Sequence, residues 1–172
     1  MTAWVEFQPR SILTVLERHR VEYVVIGGIA AVLRGAPFVT GDLDISPNRE
    51  LGNLNRLAAA LIELDATPRI ADPPSELETQ LDGATIAGFA NLSLDTPFGQ
   101  LGLVLLPDGT RGFDDLNRSA TIIEIEKGLT VSVAALADVV RSKAAAGRVK
   151  DHAQLPLLRQ TLEQIRRLER ES

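Results

Sequence analysis

The chain has no cysteine, few aromatic residues and no long apolar run. Its 172 residues include one Trp, one Tyr and five Phe. The lack of cysteine excludes disulfides and thiolate metal sites, and it fits a reducing, cytoplasmic environment. No apolar run approaches the ~20 residues that span a bilayer, and the first residues lack the pattern of a signal peptide. We therefore expect no membrane partner.

Other kinds of site are excluded by what the sequence has little of. The aromatic side chains do not interleave with basic residues, so no platform for stacking nucleic-acid bases is evident. His19 and His152 are far apart in sequence and have no metal-ligand partners at a recognised spacing. A Gly-x-Ser-x-Gly segment and a Walker-type lysine are both missing, which removes two common kinds of hydrolase and NTPase site.

The chain is acidic overall, but its charged residues are unevenly distributed along the sequence. The formal net charge is -5, which does not indicate general nucleic-acid binding. The later part of the chain is richer in basic residues, namely Arg141, Lys143, Arg148, Lys150, Arg159, Arg166, Arg167 and Arg170. This run predicts either a local surface for a phosphate backbone or a solvated helix face.

Hydrophobic periodicity predicts an α/β or α+β protein with a mixed β-sheet flanked by helices. Helices are predicted over 9–20, 28–34, 49–64, 133–146 and 150–169, with a turn or short helix at 114–117. Strands are predicted over 23–26, 42–46, 91–95, 101–106, 119–126 and 129–133. Residues 66–83 are expected to form a loop with at most one short helix, and Gly147 to end a helix in the left-handed conformation. The length fits a core at 1–133 with a C-terminal helical segment at 134–172 packed on it.

The most informative stretch joins a diglycine to a pair of aspartates. A predicted strand runs into Gly27-Gly28 and then into a helix, whose free backbone N–H groups and dipole favour an anion. Asp42 and Asp44 share one face of the next strand, because successive side chains point to opposite faces. Two carboxylates this close repel each other unless a cation lies between them, and Mg²⁺ is typically bound by one or two carboxylates plus substrate phosphates.

Each half of this pattern has a structural explanation when taken alone. The diglycine also suits a tight strand–helix turn, and an Asp-x-Asp pair also occurs as two solvated acids at a strand end. In the order strand, Gly-Gly, helix, Asp-x-Asp strand, the diglycine turn and the aspartate pair are expected to face the same place. This order predicts a site for a nucleoside triphosphate with Mg²⁺ or Mn²⁺.

That order resembles the signature of the nucleotidyltransferase superfamily related to DNA polymerase β. Within it, Arg34-Gly35 and the segment 40–44 resemble the AbiEii-type toxins and their MenT-like relatives. Ser142-Lys143 with the segment 147–151 resembles the later motifs of that group. The resemblance covers roughly residues 23 to 160 and implies a nucleotidyltransferase core.

The resemblance also implies an activity and partners. It implies a metal-dependent transferase that moves an NMP from an NTP to an acceptor hydroxyl, such as an RNA or tRNA end. It further implies the toxin of a bacterial toxin–antitoxin system, with a cognate antitoxin protein as partner. The acidic net charge argues mildly against a large RNA footprint, so a protein or small-molecule acceptor is the alternative.

The resemblance assigns roles to individual residues. It implies catalytic roles for Asp42, Asp44, Lys143 and Asp151, metal binding by Asp42 and Asp44, and nucleotide binding by Gly27, Gly28, Arg34, Thr40, Lys143 and Arg148. From the residues alone, Lys143 is a phosphate ligand or an exposed lysine, and Asp151 is a catalytic group or a helix N-cap. Arg148 joins the phosphate site or pairs with Asp151. Arg34 neutralises phosphate or is a helix-end cation.

One position departs from the superfamily pattern. Members usually carry a third carboxylate on a neighbouring strand, where this chain reads Gly-Gln-Leu-Gly-Leu at 99–103, with Gly102 in place of the acid. Asp95, across the predicted hairpin, is a candidate third metal ligand. Gly102 also suits a close approach of a ligand or backbone. The departure raises an alternative function, a weak or inactive nucleotide- or partner-binding member of the same fold.

Overall fold

The computed structural model describes residues 5–70 and 81–172. In this part of the chain the helices are α1 (Pro9–Arg18), α2 (Gly27–Leu33), α3 (Leu51–Glu63), α4 (Gly83–Ala87), α5 (Phe113–Ser119), α6 (Leu136–Ala146) and α7 (Val149–Glu171). The strands are β1 (Tyr23–Ile26), β2 (Asp42–Pro47), β3 (Thr67–Pro68), β4 (Asn91–Thr96), β5 (Gly99–Val104), β6 (Thr121–Glu126) and β7 (Leu129–Val133). None of these helices is both long and apolar enough to cross a membrane.

The strands of the described residues form one mixed sheet in the order β3-β4-β5-β2-β1-β7-β6. Strand β2 runs parallel to β5, and β1 runs parallel to β7. The remaining neighbours, including β1 with β2 and β4 with β5, are antiparallel. The prediction of a mixed sheet flanked by helices is confirmed.

Alternation along the central strands separates a buried face from a polar face of the sheet. Leu43 and Ile45 of β2 and Leu101 of β5 are fully buried. They belong to one hydrophobic core with buried side chains of α1 and α3, namely Ile12, Leu13, Leu16, Leu54, Leu57 and Leu61. Asp42 and Asp44, which alternate with Leu43 and Ile45 along β2, lie on the opposite face. The sequence therefore places apolar side chains in the core and leaves both carboxylates on a more open surface.

Most predicted elements lie within a few residues of the observed ones. The hairpin is confirmed, with β4 and β5 joined through Pro97 and Phe98. Gly147 ends α6 in the left-handed conformation, with φ 63° and ψ 23°. The predicted loop at 66–83 contains β3 and the start of α4, and its portion at 71–80 lies outside the described residues.

The two C-terminal helices share the core of the sheet. Leu136 and Val139 of α6 and Leu158 of α7 belong to the main hydrophobic cluster. Helix α6 contacts both α2 and α7. The division at residue 133 stays a prediction, and the cleft described next is built from both sides of it.

Candidate active site

A cleft of about 470 Å³ opens on the polar face of the sheet, where β1, β2 and β5 meet α6 and the start of α7. Seven of the predicted site residues line it, namely Gly27, Gly28, Thr40, Asp42, Asp44, Lys143 and Arg148. The volume is in the range of small-molecule sites, ~300–1,000 Å³. The diglycine, the aspartate pair and Lys143 therefore face one space although they are far apart in sequence.

Asp44 lies in a notch between two glycines. On β2 it is paired with Ile26 of β1 on one side and with Gly102 of β5 on the other. A Cβ atom on Gly27 would lie 2.7 Å from Asp44 Oδ2, and a Cβ atom on Gly102 would overlap Asp44 Oδ1. Gly27 also has φ +65°, which a residue with a side chain rarely adopts. Glycine at both positions leaves the space that the carboxylate fills.

The surroundings of Asp44 make it costly to ionise without a cation. Burial raises the pKa of Asp44 to about 6, and the neighbouring charge of Asp42 adds to the increase. Lys150, Lys143 and Arg148 act in the opposite direction. Carboxylate oxygens are the ligands that Mg²⁺ and Mn²⁺ prefer, so the donor set fits either cation. Bound there, a divalent cation would offset the repulsion between the two acids.

Asp42 has its own support from the loop before β2. Thr40 Oγ1 donates a hydrogen bond to Asp42 Oδ1 at 3.2 Å. A Cβ atom on Gly28 would lie 2.6 Å from Thr40 Oγ1, so Gly28 leaves room for the threonine side chain. Thr40 thus orients a candidate metal ligand, and its predicted contact with the nucleotide stays a prediction.

Lys143 is held at the edge of the cleft by two residues of α7. Its side chain is 10% exposed, and its Nζ donates to Gln154 Oε1 at 3.0 Å and to Asp151 Oδ1 at 3.5 Å. Gln154 lines the cleft and was missed by sequence reasoning. Its spacing of three residues from Asp151 places both on one helix face, which is the signal that could have found it.

Asp151 is a buried anchor behind the cleft. Its carboxylate accepts hydrogen bonds from the Arg148 backbone N at 3.3 Å and from Arg148 Nε at 2.7 Å, which caps the start of α7. Burial by itself would raise the pKa of Asp151, but the hydrogen bonds and charge of Arg148, together with Lys143, lower it below its usual range. Asp151 does not line the cleft. Asp151 thus holds the Lys143 ammonium group in place, and its predicted catalytic role stays a prediction.

Two predicted residues lie apart from this arrangement. Arg34 does not line the cleft. It donates from Nη2 to the Val133 carbonyl at 2.7 Å and from Nε to the Ala134 carbonyl at 3.0 Å, which ties the end of α2 to the end of β7. Its contacts are therefore structural, because β7 ends beside β1 and presents its last carbonyls to α2.

Asp95 is on the same face of the sheet but two strands from Asp42. Gln100 is paired with both residues and lies between them. Asp95 forms an ion pair with Arg69, with Nε and Oδ2 3.4 Å apart. Among the described residues, no group of three or more His, Cys, Asp or Glu is placed to hold a metal ion. The structure thus does not bring Asp95 to the aspartate pair.

Comparison with known proteins identifies the fold. Neither a protein-family model nor a curated protein matches the chain. Among solved structures, it is similar to a candidate nucleotidyltransferase of Thermotoga maritima, with a TM-score of 0.54 and 19% sequence identity. The similarity covers 95% of this chain and 91% of that one. The chain has a nucleotidyltransferase-like fold. At this identity the similarity shows the fold alone.

Proposed function

We propose that the protein is a metal-dependent nucleotidyltransferase that moves an NMP from an NTP to an acceptor hydroxyl. One observation carries the proposal: Asp42, Asp44 and the Gly27-Gly28 turn face the same cleft as the buried ammonium group of Lys143. Two acids suit a divalent cation, and a lysine beside them suits the phosphates that the cation would share. The fold shared with the Thermotoga maritima protein supports the same activity.

The residues of the cleft have distinct tasks in this reaction. Lys143 would contact the triphosphate and offset its charge, held in place by Asp151 and Gln154. Asp42 and Asp44 would hold Mg²⁺ or Mn²⁺, which screens the phosphate charge when bound. The acceptor oxygen forms a bond to the α-phosphorus, the bond to the β-phosphate oxygen breaks, pyrophosphate leaves and the acceptor proton passes to solvent.

The resemblance to AbiEii-type and MenT-like toxins extends the proposal to an RNA acceptor and a cognate antitoxin. Some of the basic residues in the later part of the chain form ion pairs, which offset their charge. Arg141 is paired with Asp115 and Asp138, and Arg167 is paired with Glu171. Arg148 and Lys150 line the cleft. A short basic rim of this kind favours contact with the terminal nucleotides of an RNA over a long footprint.

A transfer assay tests the proposal. Wild type and Asp44→Ala are incubated with each α-labelled NTP, Mg²⁺ and total bacterial RNA or lysate. We expect label in an RNA band with wild type and none with Asp44→Ala. The matched control is Asp95→Ala, which removes an acid from the same sheet face outside the cleft. Its activity should remain intact, and a loss would restore Asp95 as a third metal ligand.

The destination of the label separates the finer possibilities. Label in a protein or a small molecule would keep the transferase and discard the RNA acceptor. The second candidate function is nucleotide binding without turnover, which is favoured by Gly102 in the place of a third acid. NTP binding without any transfer in Mg²⁺ or Mn²⁺ would select that function.

Replacing Gln154 with alanine should weaken NTP binding about tenfold, because Lys143 loses its closest partner. The kcat should change much less, since the change acts on binding of the phosphates. Isothermal titration with Mg²⁺ and a non-hydrolysable NTP analogue measures the dissociation constant. Gln160→Ala, an exposed glutamine of the same helix, is the control. Equal affinities for wild type and Gln154→Ala would contradict the role of Gln154.

A further inference from the structure

The residue beside Asp44 on the neighbouring strand is a glycine, and the Asp44 carboxylate occupies the space that a side chain at this position would need. In the parallel pairing of β2 with β5, Asp44 is directly opposite Gly102. Any Cβ atom on Gly102 would overlap Oδ1 of Asp44, and the next atom of the acid, Cγ, is 3.3 Å away. Gly102 therefore leaves room for the Asp44 carboxylate. An acidic residue cannot replace Gly102 while Asp44 keeps this position.

The residues toward β4 place no acid directly beside the aspartate pair. On the far side of Gly102, β4 contributes Ser93, which is paired with it and lines the cleft. One row along the sheet, Gln100 separates Asp42 from Asp95. The acid of β4 in that row, Asp95, is paired with Arg69 instead.

The carboxylates of Asp42 and Asp44 are each positioned by different neighbouring residues. Asp44 is set by the glycines on either side of it, Gly27 and Gly102. Asp42 is set by the hydroxyl group of Thr40, 3.2 Å from its Oδ1. Both acids are therefore oriented within the fold before any cation binds.

We propose that this site holds a single divalent cation between Asp42 and Asp44, and that Gly102 is the positioning residue that sets the Asp44 carboxylate. The inference rests on the proposed function. Sites with two metal ions keep them ~3.5–4 Å apart in a shared clamp of ligands. Asp108 and Asp138 also line the cleft, but among the described residues no group of three or more acids or histidines is placed to hold a metal ion.

Manganese binding tests the inference without relying on transfer. Mn²⁺ is titrated into wild type, Gly102→Ala and Asp95→Ala, with and without one equivalent of a non-hydrolysable NTP analogue, and free Mn²⁺ is followed by electron paramagnetic resonance. We expect one Mn²⁺ for each wild-type chain in both conditions. Gly102→Ala should bind Mn²⁺ at least ~10-fold more weakly, because its Cβ displaces Asp44. Asp95→Ala, on the same face of the sheet but outside the cleft, should bind as wild type does.

The outcomes distinguish this inference from the proposed function. Two Mn²⁺ for each wild-type chain would overturn the single-cation site, even if transfer occurs. Unchanged Mn²⁺ affinity in Gly102→Ala would overturn the positioning role. One Mn²⁺ for each chain without transfer of label would leave the cation site standing and overturn the transferase. Circular dichroism of Gly102→Ala checks the fold, and if it is lost the wild-type stoichiometry still decides the number of cations.

Discussion

Replacing Asp151 with alanine should lower the Tm by roughly 10 °C, the largest loss of stability that we expect from a single change near the cleft. Asp151 is fully buried and accepts hydrogen bonds from Arg148 and Lys143. Without it, the buried ammonium group of Lys143 loses the carboxylate with which it is paired, and breaking a buried pair in this way costs ~3–5 kcal/mol. Thermal denaturation followed by circular dichroism measures the change.

Two further variants separate the buried charge from the helix cap. Arg148→Ala should cost at most ~1 kcal/mol, because the Arg148 side chain is 64% exposed and its ion pair is screened by water. The double variant Lys143→Met with Asp151→Leu should recover much of the stability, because apolar side chains often replace a buried ion pair without loss. It should still lack transfer activity. A Tm of Asp151→Ala close to that of wild type would show that Lys143 does not depend on this carboxylate.

Replacing Asp44 with asparagine should abolish transfer and yet stabilise the metal-free protein at neutral pH. Transfer should fall at least ~1,000-fold, because a ligand of the cation that screens the phosphates is removed. The Tm in EDTA should rise by about 5 °C at pH 8, corresponding to on the order of 2 kcal/mol. The asparagine is isosteric and fits the same notch between Gly27 and Gly102.

The direction of this stability change follows from the two pKa values of Asp44. In the unfolded chain the pKa is 3.8, and in the folded protein it is about 6, mainly because the carboxyl group is buried. Below pH 3.8 the group is protonated in both states. As the pH rises toward 6, the unfolded chain ionises first, so the folded state loses stability, and above pH 6 the full cost is present. The neutral amide of the Asp44→Asn variant carries no such cost.

Thermal denaturation of both proteins at pH 4 and pH 8 in EDTA tests this expectation. The difference in Tm should be present at pH 8 and nearly absent at pH 4. Asp95→Asn, at a side chain that is 54% exposed, is the control and should change neither value. A gain that is equal at both pH values would mean that ionisation of Asp44 is not its origin.

The local pattern of the sequence predicted the aspartate face well. The alternation of Asp42 and Asp44 with Leu43 and Ile45 predicts which residues are buried, and the structure confirms it. The diglycine was predicted at the end of β1, where it is found. These features depend on neighbours along the chain, which a single sequence contains.

The contacts between distant segments could not be predicted. The partners of Arg34 are the last carbonyls of β7, and only the sheet order shows that these lie beside α2. The register of β2 with β5 decides that Gly102 receives the Asp44 carboxylate, and hairpin proximity alone suggested Asp95 instead. A sequence contains no direct signal for either pairing.

Because residues of α7 fix the Lys143 side chain, the two sides of the cleft form at different times during synthesis of the chain. The carboxylates belong to β2, whereas Lys143 and the two residues that fix it belong to the last two helices. A nascent chain carries the acidic half of the cleft well before the cationic half has left the ribosome. Because such long-range contacts form late, Lys143 takes its place in the cleft only when α7 has docked. Docking of the C-terminal helices is thus the step that completes the lining of the cleft.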